Sequence, residues 1–264
     1  MTMELDLLGK VAVVTGASKG IGLAVTRSLA EQGVSVIAGA LNGSEELELL
    51  SEKFAVQVVR VDLTETAGPQ FLVDQAISRH GALNILVNNV GAVRPRPDGF
   101  LTVTDDDWQA TLTINFLVAV RSLRAALPHL VRRTSSCVVT VSSVNVFLPD
   151  PAVVDYSAAK AALTNLCKSL SKEFAANGVR INTVSPGPVQ TDLWLGDNGV
   201  AATIARASGV SPQEIAKRAA ADSPTGRFTT PQEVADIVVF LASQRAANIT
   251  GSDFVVDGGL VPTL

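Results

Sequence analysis

Seven short runs of β-branched and apolar residues recur along the chain, at 10–16, 34–39, 56–62, 83–89, 136–143, 179–186 and 253–259, separated by longer segments with helical spacing. In several of them the apolar residues follow one another without alternation, as from Val11 to Val14. That is the pattern of parallel strands covered by helices on both faces. The expected fold is therefore α/β, a doubly wound parallel sheet of about seven strands. Helix punctuation is direct in two places. Thr230-Pro231-Gln232-Glu233 supplies an N-cap hydroxyl, a proline at the first helical position and a glutamate three residues after the cap, which predicts a helix over about 231–243. Ser211-Pro212-Gln213-Glu214 has the same form and places a short helix inside a Gly- and Ala-rich stretch, 188–229, which reads as a lid. Patterned segments at about 105–132 and 156–177 predict two long helices. No Pro/Ser-rich linker, repeat or composition shift divides residues 1–264, so they are expected to form one domain.

Composition narrows the classes of function. A hydrophobic share of 47% against 17% charged residues suits a deep core. A net charge of −4 without Lys/Arg runs excludes a nucleic-acid footprint, which needs a basic stripe to neutralise phosphates. No uninterrupted apolar run approaches the ~18–20 residues of a spanning helix, and the start MTMELDLLGK is too short and acidic for a signal peptide. No membrane partner is expected, and the location read from this is the cytoplasm. Cys137 and Cys167 stand outside any CxxC or metal-ligand spacing and read as buried reduced thiols, so no metal is expected.

Between the first strand and the first helix lies Thr15-Gly16-Ala17-Ser18-Lys19-Gly20-Ile21-Gly22. Glycines here permit a sharp turn, bring backbone N–H groups close to a diphosphate and let the helix pack tightly on the strand. Further along occur Asn88-Asn89-Val90-Gly91, Asn115, Ser143, Tyr156-x3-Lys160 and Pro186-Gly187, in that order. Together with the glycine turn they resemble the short-chain dehydrogenase/reductase family over nearly the whole chain. The resemblance implies a Rossmann-like domain that transfers hydride between a nicotinamide cofactor and a ketone or secondary alcohol.

Tyr156 is the only tyrosine in the chain. A tyrosine and a lysine four residues apart on a helix share one face, and an ammonium nearby favours phenolate. Lys160 and an oxidised nicotinamide are therefore expected to lower the Tyr156 pKa and make the phenol a workable acid/base. By the resemblance, Lys160 also bonds the nicotinamide ribose, Ser143 holds the substrate oxygen and Asn115 orders a relay water. Asn115 has the alternative of satisfying backbone groups inside its helix.

The resemblance likewise implies a cofactor site built from Gly16, Ser18, Lys19, Gly20, Ile21, Gly22, Asp62, Leu63, Asn89, Gly91, Pro186, Gly187, Val189 and Thr191, with Tyr156 and Lys160. Asp62 would bond the adenine amino group, or cap the next helix. After the second strand the chain reads Ala40-Leu41, with neither the acid that selects NAD nor an arginine. Lys19 is placed to reach a 2′-phosphate, which favours NADP(H) over NAD(H); its alternative is a solvated loop charge. Asn145, Leu148, Val153, Leu193 and Trp194 are the candidate substrate wall, or ordinary packing. Arg94 and Arg96 are expected to be solvated loop charges, with an anionic substrate as the alternative. The long helices and the C-terminal Val256-Asp257-Gly258-Gly259, with a mean hydropathy of +0.32, resemble relatives that assemble, so a homo-oligomer, dimer or tetramer, is expected. The expected activity is NADP(H)-dependent ketone/alcohol interconversion on a small-molecule carbonyl, such as a 3-oxoacyl or polyketide-like compound. The alternatives are an NAD-dependent alcohol or sugar dehydrogenase and, more distantly, a non-catalytic nucleotide sensor.

Overall fold

The computed structural model describes residues 4–263. Seven strands form one parallel sheet in the order β3-β2-β1-β4-β5-β6-β7: β1 (Val11–Thr15), β2 (Ser35–Ala40), β3 (Val56–Arg60), β4 (Ile85–Asn88), β5 (Ser136–Val141), β6 (Val179–Pro186) and β7 (Asp253–Val256). The helices are α1 (Gly20–Glu31), α2 (Glu45–Lys53), α3 (Gly68–His80), α4 (Asp105–Leu112), α5 (Val118–Leu130), α6 (Val154–Phe174), α7 (Asp192–Leu195), α8 (Val200–Ser208), α9 (Pro212–Asp222) and α10 (Pro231–Ala242).

The continuous apolar runs have the predicted cause. Ala12, Val14, Val36 and Ala38 face one core with Val25 and Leu29 of α1 and Val234 and Val238 of α10. Val11, Val13, Ile37 and Val138 face the other with Leu72 of α3, Leu123 of α5 and Leu163 of α6. Successive residues of one strand thus fill opposite cores, which is why the apolar residues do not alternate with polar ones. The two edge strands are the exceptions: β3 is partly exposed and β7 is half exposed along its length.

Element limits shift slightly from expectation. The third strand stops at Arg60, so Asp62 lies two residues beyond it. The segment expected as one helix over 105–132 is α4 and α5 joined by a π-helical turn, Thr113–Leu117, that contains Asn115. This Asp105–Leu130 stretch of 26 residues is long and apolar enough by composition to cross a membrane, which corrects the expectation that no run would be; half of its 18-residue apolar window is buried. Its apolar side is core, packed on α3, α6 and β4. The excursion at 188–229 is closed at its base by a parallel bridge between Val189 and Thr229. There Gln190 N donates to Thr229 O (2.8 Å) and Thr229 N to Pro188 O (3.0 Å). α7, α8 and α9 therefore stand outside the sheet on a pinned root.

Candidate active site

β1 pairs with β2 on one side and β4 on the other, so the winding of the chain reverses between β1 and β4. At such a point the loops leaving the strand C-termini diverge and open a crevice. A continuous cavity of about 1550 Å³ lies there. Of the residues anticipated for the cofactor, Gly16, Ser18, Lys19, Gly20, Ile21, Asp62, Leu63, Asn89, Gly91, Pro186, Gly187, Val189 and Thr191 line it, as do Ser143, Tyr156 and Lys160. Asn145, Leu148, Val153, Leu193 and Trp194 line its other end. Gly22 and Asn115 stand behind the wall.

The glycine turn is held against β4 by side-chain bonds. Asn89 Nδ2 donates to Thr15 O (2.9 Å) and Gly16 O (3.0 Å), while Thr15 Oγ1 accepts from Asn89 N (2.9 Å) and Val90 N (3.1 Å). Asn89 therefore shapes the cradle from behind. Gly16 has φ +67°, and a Cβ on Gly22 would fall 2.1 Å from Gly16 O. Only glycine permits this approach of helix to turn, which sets the turn against the cavity at the N-terminus of α1. These residues fit a dinucleotide diphosphate. Lys19 is the N-cap residue of α1, and its Nζ lies 3.7 Å from Asp192 of α7 with both side chains 71% exposed. Leu41 is exposed and Ala40 buried where a ribose-binding acid would stand. The Asp62 carboxylate accepts from Thr64 N (2.8 Å) and Thr64 Oγ1 (2.6 Å), and these bonds, the hydroxyl first, hold its pKa below the usual carboxylate value. It caps its own turn. Ser44, which the sequence reading missed, N-caps α2 and donates to Ser18 O (2.6 Å), tying that helix to the turn. Its only prior signal was the Ser-Glu-Glu start of a helical segment.

At the centre, Lys160 is buried and donates to Val141 O (2.9 Å). Burial lowers its pKa to about 8, partly offset by Cys167. Tyr156 lies on the cavity wall with its phenol enclosed, and burial raises its pKa, against which the Ser143 hydroxyl beside it acts. In the protein by itself burial therefore outweighs Lys160 and favours the protonated phenol, whereas the expected lowering concerns Lys160 acting together with a bound oxidised nicotinamide. Ser143 Oγ donates to Asn145 Oδ1 (3.0 Å) and accepts from Asn145 N (3.2 Å). Asn145 Nδ2 in turn reaches Ser157 Oγ (3.4 Å), so Ser143 is oriented from below. Ser142 faces away and bonds Thr164 Oγ1 (2.6 Å). Asn115 does satisfy backbone groups: Nδ2 donates to Ala92 O (2.8 Å) and Thr111 O (3.1 Å), and Oδ1 accepts from Ala92 N (3.1 Å). A Cβ on Gly91 would lie 3.0 Å from Asn115 Oδ1 and 3.4 Å from Lys160 Nζ, so Gly91 lets these two side chains meet the shelf.

The wall beyond Tyr156 is apolar. Trp194 stacks edge-on against Phe228 at 5.5 Å. Leu260 closes the far side because Asp257 pins the tail, its Oδ1 accepting from Gly259 N (2.8 Å) and Oδ2 from Val261 N (2.7 Å). The Gly-Gly pair, read from the sequence as part of an oligomer contact, here turns the tail back onto its own cavity. Arg94 is solvated as expected. Arg96 is not: its side chain is 9% exposed and ion-paired with Asp155 and Asp107. A solvated charge was the wrong expectation because both partners are remote in sequence, 11 and 59 residues away.

A dinucleotide cradle at the switch point of a parallel sheet, with a tyrosine on the wall and a buried lysine at its inner end, defines an oxidoreductase that works with a nicotinamide cofactor. The family model described as enoyl-(acyl carrier protein) reductase matches residues 16–261, and the chain belongs to the short-chain dehydrogenase/reductase family, enzymes acting on CH–OH and C=O groups. It is 32% identical to a 3-oxoacyl-(acyl-carrier-protein) reductase of Chlamydia pneumoniae, over 98% of this chain and 99% of the relative. It is 35% identical to a 4-formylbenzenesulfonate dehydrogenase of Comamonas testosteroni, over 97% and 99%. Among solved structures, L-sorbose reductase from Gluconobacter frateurii, complexed with NADPH and L-sorbose, superposes with a TM-score of 0.90 at 31% identity, over 99% of this chain and 100% of that one.

Proposed function

We propose that the protein is an NADPH-dependent ketoreductase that converts a neutral, largely apolar ketone, of the 3-oxoacyl or polyketide-like kind, to a secondary alcohol. The observation that carries this reading is the enclosed, protonated Tyr156 phenol beside the Ser143 hydroxyl on the cavity wall, with Lys160 beneath. Two hydroxyls that converge in this way bind an oxygen. Ser143 donates to the carbonyl oxygen and Tyr156 delivers the proton to that same oxygen as charge develops on it. The bound nicotinamide supplies the hydride to the carbonyl carbon, or accepts it in the reverse direction. Lys160, with a pKa of about 8, is about nine-tenths protonated at pH 7. It stabilises the phenolate left after transfer and reaches the ribose hydroxyls. Asn115 holds the segment after β4 in place and so keeps the shelf at Gly91 in register.

NADP is favoured over NAD because no carboxylate occupies Ala40 or Leu41 and Lys19 stands exposed at the lip of the turn, held only by a solvated contact with Asp192; the likeness to a reductase solved with NADPH agrees. The segment 188–229 acts as the lid, carrying Leu193, Trp194, Val200 and Ile204 onto the substrate. Asp150, Asp192 and Asp222 are the charged residues at that end, and Asp192 is paired with Lys19. An anionic substrate is therefore repelled, and a polyol finds few partners there. The sugar-reductase likeness supports the alternative of a sugar dehydrogenase, but the wall does not. The open edge at β7, with Val255 44% exposed, supports a homo-oligomer built through the C-terminal contacts.

NADPH oxidation measured across ketones, 3-oxoacyl thioesters, sugars and quinones tests the reading. Turnover of apolar ketones and thioesters ahead of sugars is expected. Cofactor binding with no turnover of any carbonyl would make the protein a nucleotide sensor.

A further inference from the structure

Arg96 and Asp155 are the most deeply buried ion pair in the described part of the chain, with side chains 9% and 1% exposed. Neither lines the cavity, so neither touches substrate or cofactor. Burying two opposite charges is often no more stabilising than apolar packing in the same space. What this pair does is better read from its bonds.

Arg96 Nε and Nη2 donate to Asp155 Oδ2 (3.1 and 2.5 Å), and Nη1 donates to Asp107 Oδ1 (2.8 Å). The Arg96 backbone N–H donates to Ala152 O (2.7 Å), just before α6. Asp155 Oδ2 also accepts from Thr111 Oγ1 (2.8 Å), and its Oδ1 accepts from the backbone N–H of Tyr156 (3.0 Å). The Thr111 carbonyl then accepts from Asn115 Nδ2 (3.1 Å). Asp107 Oδ2 accepts from Thr104 N and Oγ1 and closes the N-terminal cap of α4. One planar guanidinium thus spans the first turns of two helices, and an unbroken chain of bonds leads from it to Tyr156 on one side and Asn115 on the other.

We propose that Arg96 and Asp155 are positioning residues for the reaction: their ion pair sets the start of α6, which carries Tyr156, against the π-helical turn that carries Asn115. The inference rests on the reading of Tyr156 as the working acid. Lys160 is fixed by its own bond to Val141 O on β5, whereas the Tyr156 end of α6 starts from a 3-10 turn and has no side-chain cap at Val153. The bond from Asp155 does the work of that missing cap. Arginine is required because a lysine ammonium does not present the fork that reaches two carboxylates at once.

The test is steady-state NADPH oxidation with a 3-oxo ester by Arg96→Lys, Asp155→Asn and Arg96→Met/Asp155→Leu, each at a temperature where circular dichroism shows it fully folded. Displacement of an acid/base group by about 1 Å costs up to about a hundredfold in rate. Arg96→Lys is expected to lose about tenfold or more in kcat with KM for NADPH within about twofold. Asp155→Asn keeps an acceptor for the Tyr156 N–H and is expected to retain more activity than Arg96→Lys. The double apolar variant removes both charges without leaving one unpaired, so it separates folding from alignment; its kcat is expected to fall as far as that of Arg96→Lys. A folded double variant with parental kcat overturns the proposal. If the double variant does not fold, parental kcat in Arg96→Lys overturns it instead. Tyr156→Phe distinguishes the two readings: should that variant stay active, the acid assignment itself fails, whereas an inactive Tyr156→Phe beside an active Arg96→Lys removes only the positioning role.

Discussion

The Lys160 ammonium lies 5.8 Å from the centre of the Tyr156 ring and gives its hydrogen bond to Val141 O instead. At that separation, with the phenol enclosed, burial dominates and Tyr156 is held in its protonated form. Because it is the only tyrosine, tyrosinate absorbance reports this one group. Its midpoint in the protein alone is expected above the ~10 of a free phenol, and NADP⁺, which brings a positive ring to the site, is expected to lower it. Ketone reduction uses the protonated phenol and should be flat through neutral pH. Alcohol oxidation needs the phenolate and should gain about tenfold per pH unit below the phenol's pKa. Oxidation rates that do not change across the pH range over which tyrosinate absorbance appears in the NADP⁺-bound protein would remove Tyr156 as the base.

The same burial has a consequence for stability. The folded value for Lys160, about 8, lies below the ~10.4 of an unfolded lysine. Between the two the unfolded chain holds more protons, so the Lys160 contribution to stability grows as pH rises from about 8 and is worth about 3 kcal/mol once both states are neutral. Cys167, pushed up to about 11 chiefly by burial, works in the opposite direction above pH ~9, since the unfolded thiol ionises first. Urea unfolding of the parent and of Lys160→Met isolates the lysine. The gap in favour of Lys160→Met at pH 7 is expected to shrink steadily toward pH 10. A gap that stays constant would mean the ammonium is not desolvated.

Lys19 faces two possible partners. Its contact with Asp192 links the glycine turn to the first turn of the lid at 3.7 Å, and an exposed pair of this kind is worth little. A 2′-phosphate is the better partner for a mobile ammonium, with a charged hydrogen bond worth about 1.5–3 kcal/mol. Lys19→Ala is expected to weaken NADP⁺ binding about tenfold and NAD⁺ binding hardly at all. Asp192→Asn should strengthen NADP⁺ binding modestly, because it frees the lysine. Isothermal titration with both cofactors decides this, and an unchanged NADP⁺ to NAD⁺ ratio in Lys19→Ala would show Lys19 to be no more than a solvated charge.

Much of this site was legible from local pattern. The continuous valines of β1 signalled a doubly covered strand, and Thr230 with Glu233 announced the capping box of α10, which the structure shows in full. The cavity gathers Ser143, Tyr156, Lys160 and the glycine turn because all of them sit at strand C-termini or in the helix turns that follow, positions that sequence spacing can reveal. What the sequence could not show is pairing at long range. Arg96 looks like a loop arginine until Asp155, 59 residues away, is brought beneath it. Asn89, expected on the cofactor shelf, lines the cavity, but that its amide also braces Thr15 and Gly16 appears only in the structure. The π-helical turn at Asn115 leaves no mark in hydrophobic spacing, since one wide turn hardly shifts a helical period. The direction of the Tyr156 shift also needed three dimensions, because spacing on a helix sets how near Lys160 can come but not where its ammonium points.

Gly22 offers a sharp test of the cradle. It has an ordinary helical backbone, so conformational freedom is not what requires glycine there. A Cβ would instead meet Gly16 O at 2.1 Å and Asn89 Nδ2 at 2.5 Å, atoms of the turn itself and of the side chain that braces it. Gly22→Ala must push α1 away from β1 or displace Asn89, at a cost of about 1–3 kcal/mol, and either movement opens the turn that presents its amides to the diphosphate. Gly81→Ala is the control, at a left-handed helix end (φ +63°) with nothing within 4 Å of the added carbon and far from the cavity in the chain. It should lower Tm by its backbone strain alone, about 1 kcal/mol. Thermal unfolding with and without NADPH separates the two. Gly81→Ala is expected to keep the full upward shift of Tm on adding NADPH, and Gly22→Ala to lose most of it. A full NADPH-induced shift in Gly22→Ala would show that the contact between α1 and the turn serves packing and leaves the cofactor indifferent.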